Sequence, residues 1–183
     1  GVEHSKFLPE NSEKKGIGFI GALVNEKNPR EFIELVKELR RKGILEPAYI
    51  IGDGYLRTEL EKISEGQNIF FLGEIIETEK YLKKLLCVVS TSKTEGFGLS
   101  ILESMACGIP VVALESPGSN YLLGDLDLAV PDKSQLIELV EKIIKIPEFR
   151  ENISNKVIGK SNLFSWEKCA KANLEVYKNT LSK

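Results

Sequence analysis

Apolar runs of four to seven residues alternate along this chain with stretches of helical periodicity, and no other feature of the sequence restricts the fold as much. Ile17 to Val24 predicts a first strand. Asn28-Pro29 opens a helix with Phe32, Ile33, Leu35, Val36 and Leu39 at helical spacing, and Gly43 stops it. Ala48 to Ile51 predicts a second strand, ended by Gly52-Asp53-Gly54 and followed by a helix carrying Leu56, Leu60 and Ile63. Ile69 to Leu72 is a third strand, and Leu82, Leu85 and Leu86 belong to a short helix. Val88 and Val89 lie in a fourth strand, Leu99 to Cys107 in a helix, Val111 to Ala113 in a fifth strand and Leu128 to Val130 in a sixth. Ser134 to Ile144 is amphipathic, with Leu136, Ile137, Val140, Ile143 and Ile144 on one face, and helices close the chain around Phe149–Val157 and Trp166–Leu181. Strands that are apolar throughout and separated by helices indicate a parallel sheet covered on both faces. Right-handed crossovers then give an α/β fold, a doubly wound parallel sheet of about six strands. Ligands of such sheets lie beyond the carboxyl ends of the strands, which here follow Val24, Ile51, Leu72, Ser90 and Ala113.

A length of 183 residues suits one domain. Residues 16–183 are read as that domain. Residues 1–15, polar and carrying Pro9, Asn11, Ser12, Lys14 and Lys15, are read as a linker or connecting turn from a preceding domain. The net charge of −2 offers no concentrated basic face, so no nucleic-acid partner is expected. Cys87, Cys107 and Cys169 are far apart and lack metal-ligand spacing, so they read as buried thiols of a reducing compartment. With no signal peptide and no membrane-spanning run in view, the expectation is a cytoplasmic protein. The sole histidine, His4, lies near the end of the chain, which leaves no histidine for a triad within the folded body.

Gly16-x-Gly18-x-x-Gly21 matches the spacing of a dinucleotide fingerprint, but that motif needs its glycines in the turn between strand and helix. Here Ile17, Phe19 and Ile20 lie between the glycines and read as the strand itself. Glu38, some twenty positions on, falls inside a helix. Glycines that permit close packing around a central strand account for the pattern, and a dehydrogenase reading is disfavoured.

Thr94-Glu95-Gly96-Phe97-Gly98-Leu99-Ser100-Ile101-Leu102-Glu103 follows the fourth strand directly. Its glycines make a tight turn, and a helix starts about Gly98. Free N–H groups at a helix N-terminus form an anion site. Glu95 stands at the mouth of the turn, and Glu103 lies about one and a half turns into the helix. Two carboxylates beside a phosphate site make sense if each faces hydroxyl groups while the N–H groups face phosphates, as a sugar–diphosphate–nucleoside would require. The same spacing serves an ordinary strand–turn–helix with two solvated glutamates.

Thr91-Ser92-x-x-Glu95-Gly96-Phe97-Gly98, then Glu103, then Met105-Ala106-Cys107-Gly108-Ile109-Pro110-Val111-Val112-Ala113 resembles the signature of family 4 glycosyltransferases, which have the GT-B fold and retain anomeric configuration. Other landmarks resemble the same family. They are the connection from Gly1 to Pro9, the phosphate-binding turn Gly21-x5-Lys27, Ile51-Gly52-Asp53-Gly54, and Phe71-Leu72-Gly73 near the nucleobase. Phe164-Ser165-Trp166 and Tyr177 resemble the final helix. The match extends over essentially the whole chain but only the second half of the usual enzyme. The resemblance implies that Glu103 accepts hydrogen bonds from ribose hydroxyls and that Glu95 contacts the transferred sugar. It implies that Phe97 and Gly98 offer N–H groups to the sugar, Leu99 and Ser100 offer theirs to the phosphates, and Lys27 neutralises the diphosphate. From the residues alone, Lys27 reads more readily as a solvated loop lysine. Gly21, Gly73 and Gly96 complete the implied substrate-binding set.

Two positions depart from the family. Ala22 stands where an arginine is common, five residues before the lysine, and Pro117-Gly118-Ser119-Asn120-Tyr121 stands where Gly-Gly-x-x-Glu is frequent. The implied function is donor binding for a retaining enzyme that moves a hexose from a nucleoside-diphosphate sugar to an acceptor. An N-terminal acceptor domain is the implied partner, and peripheral membrane contact would run through that half. No cofactor and no metal are expected, the sugar nucleotide being a substrate. A sugar-nucleotide epimerase and a weakly active nucleotide-binding partner subunit are the alternatives.

Overall fold

Backbone pairing joins the apolar runs into one parallel sheet. The computed structural model describes residues 1–10 and 12–181, so the predicted linker residue Asn11 lies outside the described residues. The strands are β1 (Ile17–Ile20), β2 (Ala48–Ile51), β3 (Ile69–Gly73), β4 (Cys87–Ser90), β5 (Val111–Leu114) and β6 (Ala129–Val130). Their order is β3-β2-β1-β4-β5-β6, and every neighbouring pair is parallel. The helices are α1 (Pro29–Arg41), α2 (Arg57–Ile63), α3 (Thr78–Leu82), α4 (Leu99–Ala106), α5 (Pro117–Leu123), α6 (Lys133–Lys145), α7 (Pro147–Ser161) and α8 (Trp166–Leu181).

Strand alternation divides the core in two. Ile17, Phe19, Cys87, Val89, Val112 and Leu114 point to one face, where α1, α2 and α6 supply Phe32, Leu60 and Leu136 among others. Val88, Val111 and Ala113 point to the other, with Leu82 of α3, Leu102 and Met105 of α4, Leu122 of α5 and Val157 of α7. This is the doubly wound α/β sheet that the sequence predicts. The helix α3 is only five residues long. Beside it a cavity of about 450 Å³ opens, lined by Tyr49, Ile51, Leu72, Tyr81 and Leu85 among others.

Several elements differ from expectation. β1 ends at Ile20, so Leu23 and Val24 lie in the turn rather than the strand. Leu23 is nonetheless fully buried, its N–H donating to the Asp53 carbonyl at 2.9 Å and its own carbonyl accepting from Leu56 at 3.1 Å. An apolar run does not distinguish a buried turn from a strand. α5 is an additional helix, with Pro117 at its first position and Ser116 and Ser119 in a capping box. Residues read as linker are packed: Val2 and Phe7 are buried, and the Val2 N–H donates to the Phe164 carbonyl at 2.8 Å. Cys87 and Cys107 are buried, and burial pushes both thiols up to about 12, but Cys169 is exposed on α8, contrary to the expectation of three buried thiols. α8 buries none of its residues. Among the described residues no helix is long and apolar enough to cross a membrane.

Phe32 is fully buried and packs its ring 5.7 Å from that of Phe19, tying α1 to the central strand. Phe32→Ala should cost about 3–5 kcal/mol, the scale for emptying an aromatic core site, read as a lowered urea midpoint at unchanged slope.

Candidate functional site

The strand order reverses between β1 and β4, and a doubly wound sheet opens a crevice at the carboxyl ends of those two strands. Two turns form its walls. One runs from Gly21 through a 3-10 turn at Asn25–Lys27 to Asn28, which takes a left-handed conformation before α1. The other runs from Thr91 to Gly98 and enters α4. Side-chain hydroxyls join them. Thr91 Oγ1 donates to the Asn28 carbonyl at 2.8 Å and also lies 3.2 Å from that of Lys27, and Ser92 Oγ donates to the Glu26 carbonyl at 3.0 Å. Both hydroxyl residues are buried, so these bonds are shielded from water.

Across the mouth of the crevice Lys27 Nζ donates to Glu95 Oε2 at 2.5 Å. The side chains that the resemblance assigns to the sugar and to the diphosphate are therefore in direct contact. Lys27 is not the solvated loop lysine its position in sequence allows.

Gly98 caps α4 with φ +90°, a left-handed conformation that glycine adopts without strain, and no side chain caps the helix. The N–H groups of Phe97, Gly98, Leu99 and Ser100 have no hydrogen-bond partner among the described residues. They form a cluster of donors at the positive end of the helix. The Gly96–Ser100 turn is held from behind by α5, where the Gly118 N–H donates to the Glu95 carbonyl at 2.7 Å. A Cβ on Gly118 would stand 2.8 Å from the Glu95 carbonyl oxygen and 2.9 Å from the Phe97 nitrogen, so only glycine permits this approach.

Glu103 lies apart from the Lys27–Glu95 pair, half-buried on α4, and its carboxylate has no hydrogen-bond partner among the described residues. Burial pushes its pKa up; the Lys6 ammonium opposes the shift and the Glu79 carboxylate adds to it. Glu79 on α3 is itself buried and stands 3.5 Å from Lys6 Nζ, with Oε2 lacking a hydrogen bond. Sequence reasoning missed Lys6 and Glu79, because a glutamate in a short helix and a lysine near the chain start both read as solvated. Gly21 and Gly73 mark the carboxyl ends of β1 and β3. The Gly21 N–H donates to the Ile51 carbonyl at 3.0 Å, and the Gly73 carbonyl accepts from Gly52 at 2.8 Å, which places Gly73 two strands from β1.

Asp125-Leu126-Asp127 is an Asp-x-Asp spacing that the expectation of no metal passes over. It precedes β6, at the amino edge of the sheet and away from the crevice, with Asp125 paired to Lys160 at 2.6 Å. Among the described residues no group of three or more His, Cys, Asp or Glu is arranged to hold a metal ion.

The raised pKa of Glu103 carries a sign. The folded state binds the Glu103 proton more tightly than the unfolded chain, so this group lowers stability as pH rises through the interval above the ordinary carboxylate value. Glu103→Gln should melt at a higher temperature than the parent at neutral pH, with the gap closing in melts below about pH 4.3. Gly118→Ala should cost roughly 1–3 kcal/mol in a denaturant titration and displace the turn from Glu95 to Phe97.

The family model for glycosyl transferases group 1 matches residues 2–160. An uncharacterised glycosyltransferase of Methanocaldococcus jannaschii is 30% identical over 168 residues, covering 87% of this chain and 46% of that protein. The poly(ribitol-phosphate) α-N-acetylglucosaminyltransferase of Staphylococcus aureus is 30% identical over 172 residues, covering 84% of this chain and 34% of that protein. The chain thus spans less than half the length of these curated relatives. Among solved structures, S. aureus TarM in a complex that includes UDP superposes with a TM-score of 0.84 at 22% identity, over 92% of this chain and 37% of that one. The C-terminal domain of a group 1 glycosyl transferase from Francisella tularensis gives 0.76 at 24% identity, over 89% and 97%. The chain belongs to the glycosyl transferases group 1, and its six-stranded parallel sheet with flanking helices matches their Rossmann-like GT-B domains.

Proposed function

We propose that this chain is the donor-binding half of a two-domain retaining glycosyltransferase of family 4, moving a hexose from a nucleoside-diphosphate sugar to an acceptor. The observation that carries the reading is the Lys27–Glu95 pair standing across the crevice, beside the unpartnered N–H groups at the start of α4. Cation and amides together suit a diphosphate, and the carboxylate suits a sugar hydroxyl. TarM, which shares the fold, was solved with UDP bound, and that supports a nucleotide ligand.

In this reading the donor exchanges partners with the ion pair. Lys27 turns to the diphosphate, and Glu95 accepts from a hydroxyl of the transferred sugar. The Phe97 and Gly98 amides meet the sugar, while the Leu99 and Ser100 amides meet the phosphates. Glu103 accepts from the ribose, which restores hydrogen bonds to a desolvated carboxylate. The base lies toward Gly73, where the cavity lined by Leu72 and Ile51 opens. Negative charge grows on the leaving diphosphate as the glycosidic bond breaks. Lys27 and the α4 N-terminus stabilise it electrostatically, and no metal is needed for that step. Glu95 positions the sugar. The acceptor comes from an N-terminal domain preceding these residues, and the unburied α8 offers that domain a surface. Buried free thiols at Cys87 and Cys107 fit a cytoplasmic site of action.

Calorimetry on the 183-residue chain should detect nucleoside diphosphate binding without transfer to an added acceptor. Glu103→Ala should weaken that binding by roughly 1.5–3 kcal/mol, the scale of hydrogen bonds to a charged group. Glu95→Gln should leave it unchanged or tighten it, since Lys27 is released, while lowering turnover in a full-length enzyme. Equal losses in the two variants, or efficient transfer by this chain alone, would overturn the assignment.

A further inference from the structure

Three aromatic rings from three parts of the chain meet at Phe97, two residues after Glu95. Phe97 comes from the turn, Tyr121 from α5 and Phe164 from the segment before α8. Their centroids are 6.2 Å apart for Phe97–Tyr121, 6.0 Å for Phe97–Phe164 and 5.6 Å for Tyr121–Phe164, all in the tilted or edge arrangements that aromatic pairs favour. Phe97 and Phe164 are half-buried, while Tyr121 is 62% exposed. The Tyr121 hydroxyl has no hydrogen-bond partner among the described residues. An exposed ring braced by two others loses little further freedom when a ligand covers it.

Position selects the ligand. Gly118, one helical turn before Tyr121, donates its N–H to the Glu95 carbonyl. α5 therefore starts against the turn that carries Glu95, and one helical turn on its Tyr121 meets the Phe97 ring of that same turn. A pyranose has a polar rim of hydroxyls and apolar faces of C–H groups. The rim suits a carboxylate and amides, and the C–H face suits an aromatic ring that ends in a free hydroxyl.

We infer that Tyr121 is a specificity-determining residue, forming the aromatic wall against which the transferred sugar packs its C–H face. The inference rests on the donor-binding reading above and adds to it the residue that receives the sugar's C–H face.

The test uses the 183-residue chain with matched pairs of probes: UDP and UDP-N-acetylglucosamine, GDP and GDP-mannose, ADP and ADP-glucose. For the pair that binds, Tyr121→Ala should lower affinity for the sugar nucleotide about fivefold, the scale of one aromatic contact, and leave the free nucleotide unchanged. Tyr121→Phe should keep most of the sugar contribution, since the ring remains. Melting temperatures of both variants report whether the aromatic cluster survives. If Tyr121→Ala lowers both affinities equally, or leaves both unchanged because the ring packs against another part of a longer protein, the inference is overturned while the donor-binding reading stands. If the parent chain binds none of the six probes, the donor-binding reading fails and this inference fails with it.

Discussion

Three hydroxyl-to-carbonyl contacts hold the functional end of this molecule together. Thr91 and Ser92 leave β4 and reach across the reversal of strand order to the carbonyls of Glu26, Lys27 and Asn28. A parallel sheet fixes its strands by their ladders but leaves the loops at its carboxyl edge to find their own partners. Here the partners are two short polar side chains, buried and therefore costly to strip of their bonds. The turn bearing Lys27 and the turn bearing Glu95 behave as one piece because of them, and the ion pair above needs no further support. Adjacent Thr and Ser at a strand end serve as a brace between the halves of the sheet.

The charges at the site are poised rather than settled. Lys27 and Glu95 satisfy each other, so the cation at the crevice is paired. Glu103 lacks even that, with burial and Glu79 both acting against its charged form and only Lys6 in its favour. In the proposed donor-bound form a ribose hydroxyl restores a hydrogen bond to that carboxylate and offsets part of its desolvation.

The sheet was legible because β5 is apolar at every position, β4 at all but Ser90, and because α1 and α6 repeat their apolar residues at helical spacing. The glycine turn was legible because Gly96 and Gly98 precede a patterned helix. Less visible was what depends on depth. Leu23 looks like strand because burial, not extension, made it apolar. Glu79 looks like surface because its type is usually solvated, and only the packing of α3 against α4 puts it inside. α5 was readable in principle from Ser116-Pro117 and Ser119, whose capping chemistry is local. The aromatic cluster joins positions 97, 121 and 164, a separation that no local pattern spans.

The uncapped start of α4 has a consequence for motion. A helix whose first amides lack side-chain partners holds its opening turn less firmly than its second, and local opening there costs far less than global unfolding. Its amide protons therefore exchange with solvent early while those of Leu102 and beyond remain protected. The first turn from Leu99 is wound without a side-chain cap. In the proposed donor-bound form an anion on those amides serves as the cap, and seating it slows their exchange.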